Sequence, residues 1–158
     1  MRKEVQSGIE CFRQLKYENI KGKKMKRTKP HEDVSNFELV GDFMEAFGQK
    51  VELEPTWPDF NTRELRLELI QEELDELSEA VADRDMIQIA DALTDLLYVV
   101  YGAGHAFGIE LDECFHEVHR SNMSKLGENG RPIHREDGKV MKGPGFFEPD
   151  LESILGAL

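Results

Sequence analysis

Between Ile87 and Gly102 the chain reads Ile-Gln-Ile-Ala-Asp-Ala-Leu-Thr-Asp-Leu-Leu-Tyr-Val-Val-Tyr-Gly, its most apolar stretch, and within it Asp91 and Asp95 stand one helical turn apart. A helix that is apolar around nearly its whole circumference offers ionised carboxylates no solvated face. A buried carboxylate without a partner costs on the order of several kcal/mol. The preceding segment from Glu68 to Glu79 adds Glu72, Glu73, Asp75 and Glu76 but no lysine or arginine. A divalent metal is therefore the simplest compensation.

Length and charge narrow the function classes. At 158 residues the chain is long enough for one well-filled core and demands no second domain. Residues 1 to 31 hold ten Lys/Arg against three Asp/Glu, whereas the remainder holds ten against 29, for −12 overall. An acidic globular part argues against nucleic-acid binding, and handling a polyanion there calls for metal ions as a bridge. Cys11 and Cys114 match no zinc or redox spacing, which predicts a reduced, cytoplasmic protein. No apolar run reads as membrane-spanning, and Glu4 and Glu10 interrupt any signal-peptide pattern.

Punctuation along the chain predicts an all-α four-helix bundle over residues 36–158 behind a basic extension over residues 1–35. The extension carries a short amphipathic pattern on Val5, Ile9 and Phe12 and then the basic run Lys21 to Lys29. That run reads either as a solvated tail or as a nuclear-targeting or anion-binding patch. Ser35 with Glu38 forms a capping-box signal for a first helix on Phe37, Val40, Met44 and Phe47, stopped by Gly48. Asn61 with Glu64 signals a second helix over about Thr62 to Ala82, and Asp85 with Gln88 a third ending at Gly108. The short Asp83-Arg84 connector makes these two antiparallel neighbours. A fourth helix is predicted over about Leu111 to Lys125, on a stripe of Leu111, Phe115 and Val118. Beyond it, glycines punctuate an irregular segment in which Glu136-Asp-Gly138, between Ile133 and Val140, suits a small hairpin.

On a helical wheel the second helix places Leu67, Ile70, Leu74, Leu77 and Val81 on one face and Glu68, Glu72, Asp75 and Glu79 roughly opposite. A solvated acidic face accounts for the second group. Glu73 and Glu76 lie on the flank between, with Leu69 and Ala80, where another helix can cover them. Asp91 and Asp95 share one side of the third helix with Tyr98, Gly102 and His105, so pairing the helices gathers four carboxylates. Oxygen-only ligands suit Mg²⁺ or Mn²⁺, and the shortage of His and Cys disfavours zinc.

Glu72-Glu73-Leu-Asp-Glu76 has the form EExxE, and Asp95 ends a second acidic motif in the next helix. This pairing resembles the signature of the MazG-like all-α nucleoside triphosphate pyrophosphohydrolases. The runs Asp91 to Gly102 and Asn122-Met-Ser-Lys125 through Gly138-Lys-Val-Met-Lys142-Gly-Pro are similar to their phosphoribosyl-ATP pyrophosphohydrolase-like branch, over about residues 37 to 151. The usual second motif is ExxD. Here its Glu position is Ala92, and Asp91 stands one residue earlier, either as a metal ligand or as an outer partner. The resemblance implies Glu73, Glu76 and Asp95 as ligands and Glu72 beside the metals or orienting the attacking water. It also implies dimers or dimers of dimers and a house-cleaning role against unwanted nucleotides.

The resemblance further implies that Lys125 neutralises phosphate and Asn122 touches sugar or base. A frayed helix end is the alternative. Arg120, Arg131, Arg135, Lys139 and Lys142 make the last third the most basic part of the domain, able to close over a triphosphate. Trp57 and Phe60 suit either base stacking or core packing, and His105 reads as a core histidine. A ferritin-like di-metal oxidase needs two Glu-x-x-His pairs, and only Glu113 with His116 exists. The function expected is metal-dependent hydrolysis of a nucleoside triphosphate to monophosphate and pyrophosphate. The competing expectation is a catalytically silent helical module that binds a protein partner. Apolar residues all round the third helix also predict a symmetric homodimer.

Overall fold

The capping box comes first in the computed structural model, which describes residues 34–156. Glu38 N donates to Ser35 Oγ at 3.1 Å and Ser35 N to Glu38 Oε2 at 2.7 Å, opening α1 (Asn36–Ala46). Phe37, Val40 and Met44 point into the core, and Gly48, with φ of 69°, turns the chain away. The expected helix on Val5, Ile9 and Phe12, the basic run and Cys11 lie outside the described residues.

Helix α2 (Phe60–Asp83) starts earlier than the Asn61 signal predicts. Asp59 is the cap instead, accepting from both the backbone N (3.1 Å) and the hydroxyl (2.8 Å) of Thr62. Two bonds from one residue outcompete a capping box that offers one to each partner, and they hold the Asp59 carboxyl below its ordinary range. Arg84, in the left-handed region at φ of 57°, makes the turn, and Asp85 caps α3 (Met86–Phe107) through Ile87 N and Gln88 N. Gly108 ends α3 as predicted. By length and mean hydropathy (1.2) α3 is long and apolar enough to cross a membrane. The sequence reading missed this because Asp91 and Asp95 break the apolar run, whereas a 22-residue helix averages over them. Those aspartates and its pairing with α2 account for it as a bundle helix.

The α2–α3 hairpin closes on a regular seam. Arg66, Leu69, Glu73, Glu76 and Ala80 recur on α2 at alternating steps of three and four, as do Gln88, Ala92, Asp95, Val99 and Gly102 on α3. All are buried or half-buried except Gln88. Residues equally distant from Arg84 stand level across an antiparallel pair, which makes the layers Arg66/Gly102, Leu69/Val99, Glu73/Asp95, Glu76/Ala92 and Ala80/Gln88. One contact agrees with this counted register: a Cβ added at Gly102 would lie 3.2 Å from Arg66 Nη1.

Helix α1 packs against the C-terminal half of α3, where His105 stacks on the Phe37 ring (3.8 Å between centroids, 13°). His105 Nε2 donates to the Phe37 carbonyl at 2.8 Å. It is a satisfied core histidine, as expected. Among the described residues nothing covers the outer faces of the hairpin: Leu67, Leu74 and Val81 of α2 and Met86, Ile87, Leu93 and Leu97 of α3 are exposed.

Helix α4 (Leu111–Met123) is shorter than predicted, and its buried stripe is rotated. Cys114 and Ser121 are buried, with Leu111 and Val118 half-buried, whereas Phe115 is 71% exposed. Leu111 sets the rotation by fitting over Gly104 of α3, where a Cβ would lie 2.7 Å from its side chain. The predicted hairpin reduces to a single antiparallel bridge, His134 to Val140, so the described residues hold helices and no strand. The chain then crosses the end of α4 and finishes in α5 (Leu151–Leu155).

Candidate metal centre

In the Glu73/Asp95 layer both seam positions carry an acid; in the layers on either side at least one position is apolar. Glu73 is only 4% exposed and Asp95 is half-buried. The charge of Asp95 is felt along its helix: burial first, and Asp95 second, push the Tyr98 phenol above its ordinary value, with the ring held edge-on against Phe43 at 5.5 Å. Glu76, one turn along α2, is half-buried at the level that residue counting gives to Ala92, itself buried. Glu72 lies half-buried beside the seam, and Asp91 is exposed, one residue off it.

The deep burial expected of Asp91 and Asp95 is therefore not found. Among the described residues the outer face of α3 is open, so Asp91 is exposed and Asp95 half-buried. The carboxylate most deeply buried is Glu73, on the partner helix, because the a/d-type spacing carries it into the seam.

Toward the α2–α3 turn an open groove of about 830 Å³ is lined by Glu72, Glu76 and five further carboxylates, with no lysine or arginine, and neither Glu73 nor Asp95, among its walls. Among the described residues no three His, Cys, Asp or Glu groups converge closely enough to hold a metal ion. The donor chemistry nevertheless fits one of the hard cations: carboxylate oxygens only, two of them in one layer and a third one turn away, next to an acidic groove.

The expected substrate-contacting residues fall at two places. Lys125 Nζ donates to Asn122 Oδ1 at 2.6 Å, and Lys142 Nζ to Glu148 Oε1 at 2.6 Å. Both ammonium groups face the ring of Phe146, at 6.0 and 4.1 Å from its centroid. Asn122, Lys125 and Lys142 are thus brought together by the crossing segment. That segment is tied down by Ser121 Oγ donating to Phe147 O (2.8 Å) and Phe147 N donating to Ser124 Oγ (3.1 Å). At the second place, Trp57 is 78% exposed and Phe60 is also exposed, which overturns core packing for both. The Arg63 guanidinium lies over the Trp57 ring at 5.1 Å, and Phe107 meets it edge-on at 6.0 Å.

Sequence reasoning missed Phe146, the two serines that hold the backbone of its neighbour Phe147, and Arg66. The Ser121-x-x-Ser124 spacing hints at a polar ladder on α4, but nothing local says which segment it receives.

The phosphoribosyl-ATP pyrophosphohydrolase family model matches residues 40–122 of this chain, from α1 through nearly all of α4 and across the three seam carboxylates Glu73, Glu76 and Asp95. The chain belongs to this family. An uncharacterized protein of Acanthamoeba polyphaga mimivirus is 37% identical to it over 115 residues, which covers 70% of this chain and 43% of the viral protein. The chain thus spans less than half the length of that relative. A solved structure from Exiguobacterium sp. 255-15, described as a candidate NTP pyrophosphohydrolase, shares 25% identity over 77% of this chain and 92% of its own, with a TM-score of 0.42. Family membership supports hydrolase activity in general and a metal-dependent mechanism.

Proposed function

We propose that the protein hydrolyses a nucleoside triphosphate to the monophosphate and pyrophosphate in the presence of Mg²⁺ or Mn²⁺, as a nucleotide-pool house-cleaning enzyme of the cytoplasm. The observation that carries this reading is the Glu73/Asp95 layer, two acids level with each other inside a helical seam of the family-matched region. Glu73, Glu76 and Asp95 would hold the cation, with Asp91 as a further or outer partner. Bound there, a divalent ion supplies charge neutralisation for the phosphates and a lowered pKa for the attacking water.

The remaining chemistry belongs to the chain. Glu72, beside the seam and facing the groove, accepts the proton of a water that attacks the α-phosphorus, while Glu73 orients it. The bond from the α-phosphorus to the bridging oxygen breaks, and pyrophosphate leaves with that oxygen. Lys125 and Lys142 exchange Asn122 and Glu148 for phosphate oxygens, Asn122 turns to the sugar or base, and Trp57 offers a face for the base. Two copies joined through the uncovered faces of α2 and α3 complete the bundle as a homodimer, or as a dimer of dimers.

A nucleotide panel that includes phosphoribosyl-ATP, run with Mg²⁺ and with Mn²⁺ and read out as pyrophosphate against orthophosphate, tests the reading. Pyrophosphate release from at least one member is expected. Orthophosphate alone refutes the α-phosphorus assignment. No release at all favours the competing reading, a helical module that uses the same uncovered faces to bind a protein partner.

A further inference from the structure

Two seam layers from the Glu73/Asp95 pair, Arg66 places a permanent cation in the core at 7% exposure. The missing side chain of Gly102 makes the space for it. Its described partners are neutral: Nη2 donates to Gln49 Oε1 at 3.2 Å and lies 4.0 Å from Met44 Sδ. Nε is buried and has no hydrogen-bond partner among the described residues. An apolar side chain would fill the same notch without desolvating a charge, so a guanidinium with only an amide and a thioether around it is unexplained by packing. Burial accordingly pushes its pKa down.

The geometry of the unbonded donor is specific. Nε–H and Nη2–H form one edge of the guanidinium, the edge that takes two oxygens of a phosphate or carboxylate side by side. Gln49 occupies one donor of that edge with a single neutral oxygen, and the other, Nε–H, is enclosed and unbonded among the described residues until Gln49 moves. Gln49 is half-buried and lies at the start of the loop that runs to Trp57. Seven residues of helix separate Arg66 from Glu73, a rise of about 10 Å. An extended triphosphate whose α-phosphate sits at the carboxylate layer has its terminal phosphates left to seat along this flank.

We propose that Arg66 is the seat for the pyrophosphate end of the substrate, with the Gln49 amide holding its place until the nucleotide arrives. This rests on the pyrophosphohydrolase reading and adds to it a residue that the acidic motifs do not include.

Calorimetric binding of inorganic pyrophosphate, with and without Mg²⁺, tests it on the full chain, alongside AMP as a ligand lacking the terminal phosphates. Wild type is expected to bind pyrophosphate. Arg66→Met should weaken that binding at least tenfold and leave AMP affinity within twofold, and Gln49→Ala should preserve or tighten pyrophosphate binding. Arg66→Lys keeps the charge without the fork and should still lose several-fold, which carries the test should the methionine variant fail to fold. Unchanged pyrophosphate affinity in a folded Arg66 variant, a loss shared equally by AMP, or no binding to wild type overturns the proposal. Hydrolysis that proceeds with pyrophosphate binding indifferent to Arg66 refutes this inference alone. Arg66-dependent binding without any hydrolysis refutes the proposed reaction alone.

Discussion

Adding one methyl group at Gly41 should strike the joint between α1 and α3. A Cβ there would lie 2.9 Å from His105 Cε1 and 3.0 Å from Nε2. The ring cannot retreat, because it is stacked at 3.8 Å on Phe37 and bonded at 2.8 Å to the Phe37 carbonyl. Overpacking of this kind costs about 1–3 kcal/mol, and turning the ring away leaves a buried donor unsatisfied for about 1–3 kcal/mol more. Some relaxation is shared between the two, so Gly41→Ala should lose about 2–4 kcal/mol. With an unfolding entropy of about 2.1 cal/mol/K per residue over roughly 120 described residues, the midpoint should fall by about 8–16 °C. Thermal or urea unfolding reads this directly. His105→Ala removes the obstructing ring, so the Gly41→Ala/His105→Ala double variant should be about 1 kcal/mol or more better than the sum of the singles. A Gly41→Ala protein within 0.5 kcal/mol of wild type, a threshold that surface changes rarely exceed, would refute the packing argument.

Other expectations concern the site and the assembly. Asp95→Asn and Glu73→Gln should abolish hydrolysis with the helical circular dichroism intact, and full activity at saturating Mg²⁺ in either would sink their assignment. In wild type, Mn²⁺ at tenfold its dissociation constant should raise stability by about 1.4 kcal/mol, and both variants should lose that gain. Asp91→Asn should cost roughly 10- to 100-fold in rate, the range for a group outside the ligand set, because its side chain is exposed beside the seam; wild-type rates would remove it from the site. Leu97→Glu, on the uncovered face of α3, should convert a sedimenting dimer to monomer. A compact wild-type monomer of 18.1 kDa with undiminished activity would refute the assembly.

Much of the fold was legible in the residues because the deciding physics is local. Ser35 with Glu38, Asp85 before Ile87 and Gln88, and the glycines at 48 and 108 satisfy or end helix backbones within a few positions, so their caps and stops could be read one by one. The flank holding Glu73 with Leu69 and Ala80 was equally visible, since helical spacing alone puts them on one line. Where two local signals competed, the reading slipped: Asp59 took the cap from Asn61 because the Thr62 hydroxyl added a second bond to it.

The rest waited on tertiary structure, because it depends on which surfaces meet. Periodicity marks the apolar faces of α2 and α3 but is silent on whether anything within one chain covers them. Asp91 is therefore solvated, while Glu73 carries the burial that was expected of the aspartates. Phe115 lost its place in the core to Cys114 because Leu111 found the notch at Gly104, a pairing of residues on different helices. Nothing near Arg66 in sequence marks it as buried. Only the hairpin register, which sets Gly102 opposite it and Asp95 opposite Glu73, turns a scatter of charges into a carboxylate layer with a guanidinium two layers away.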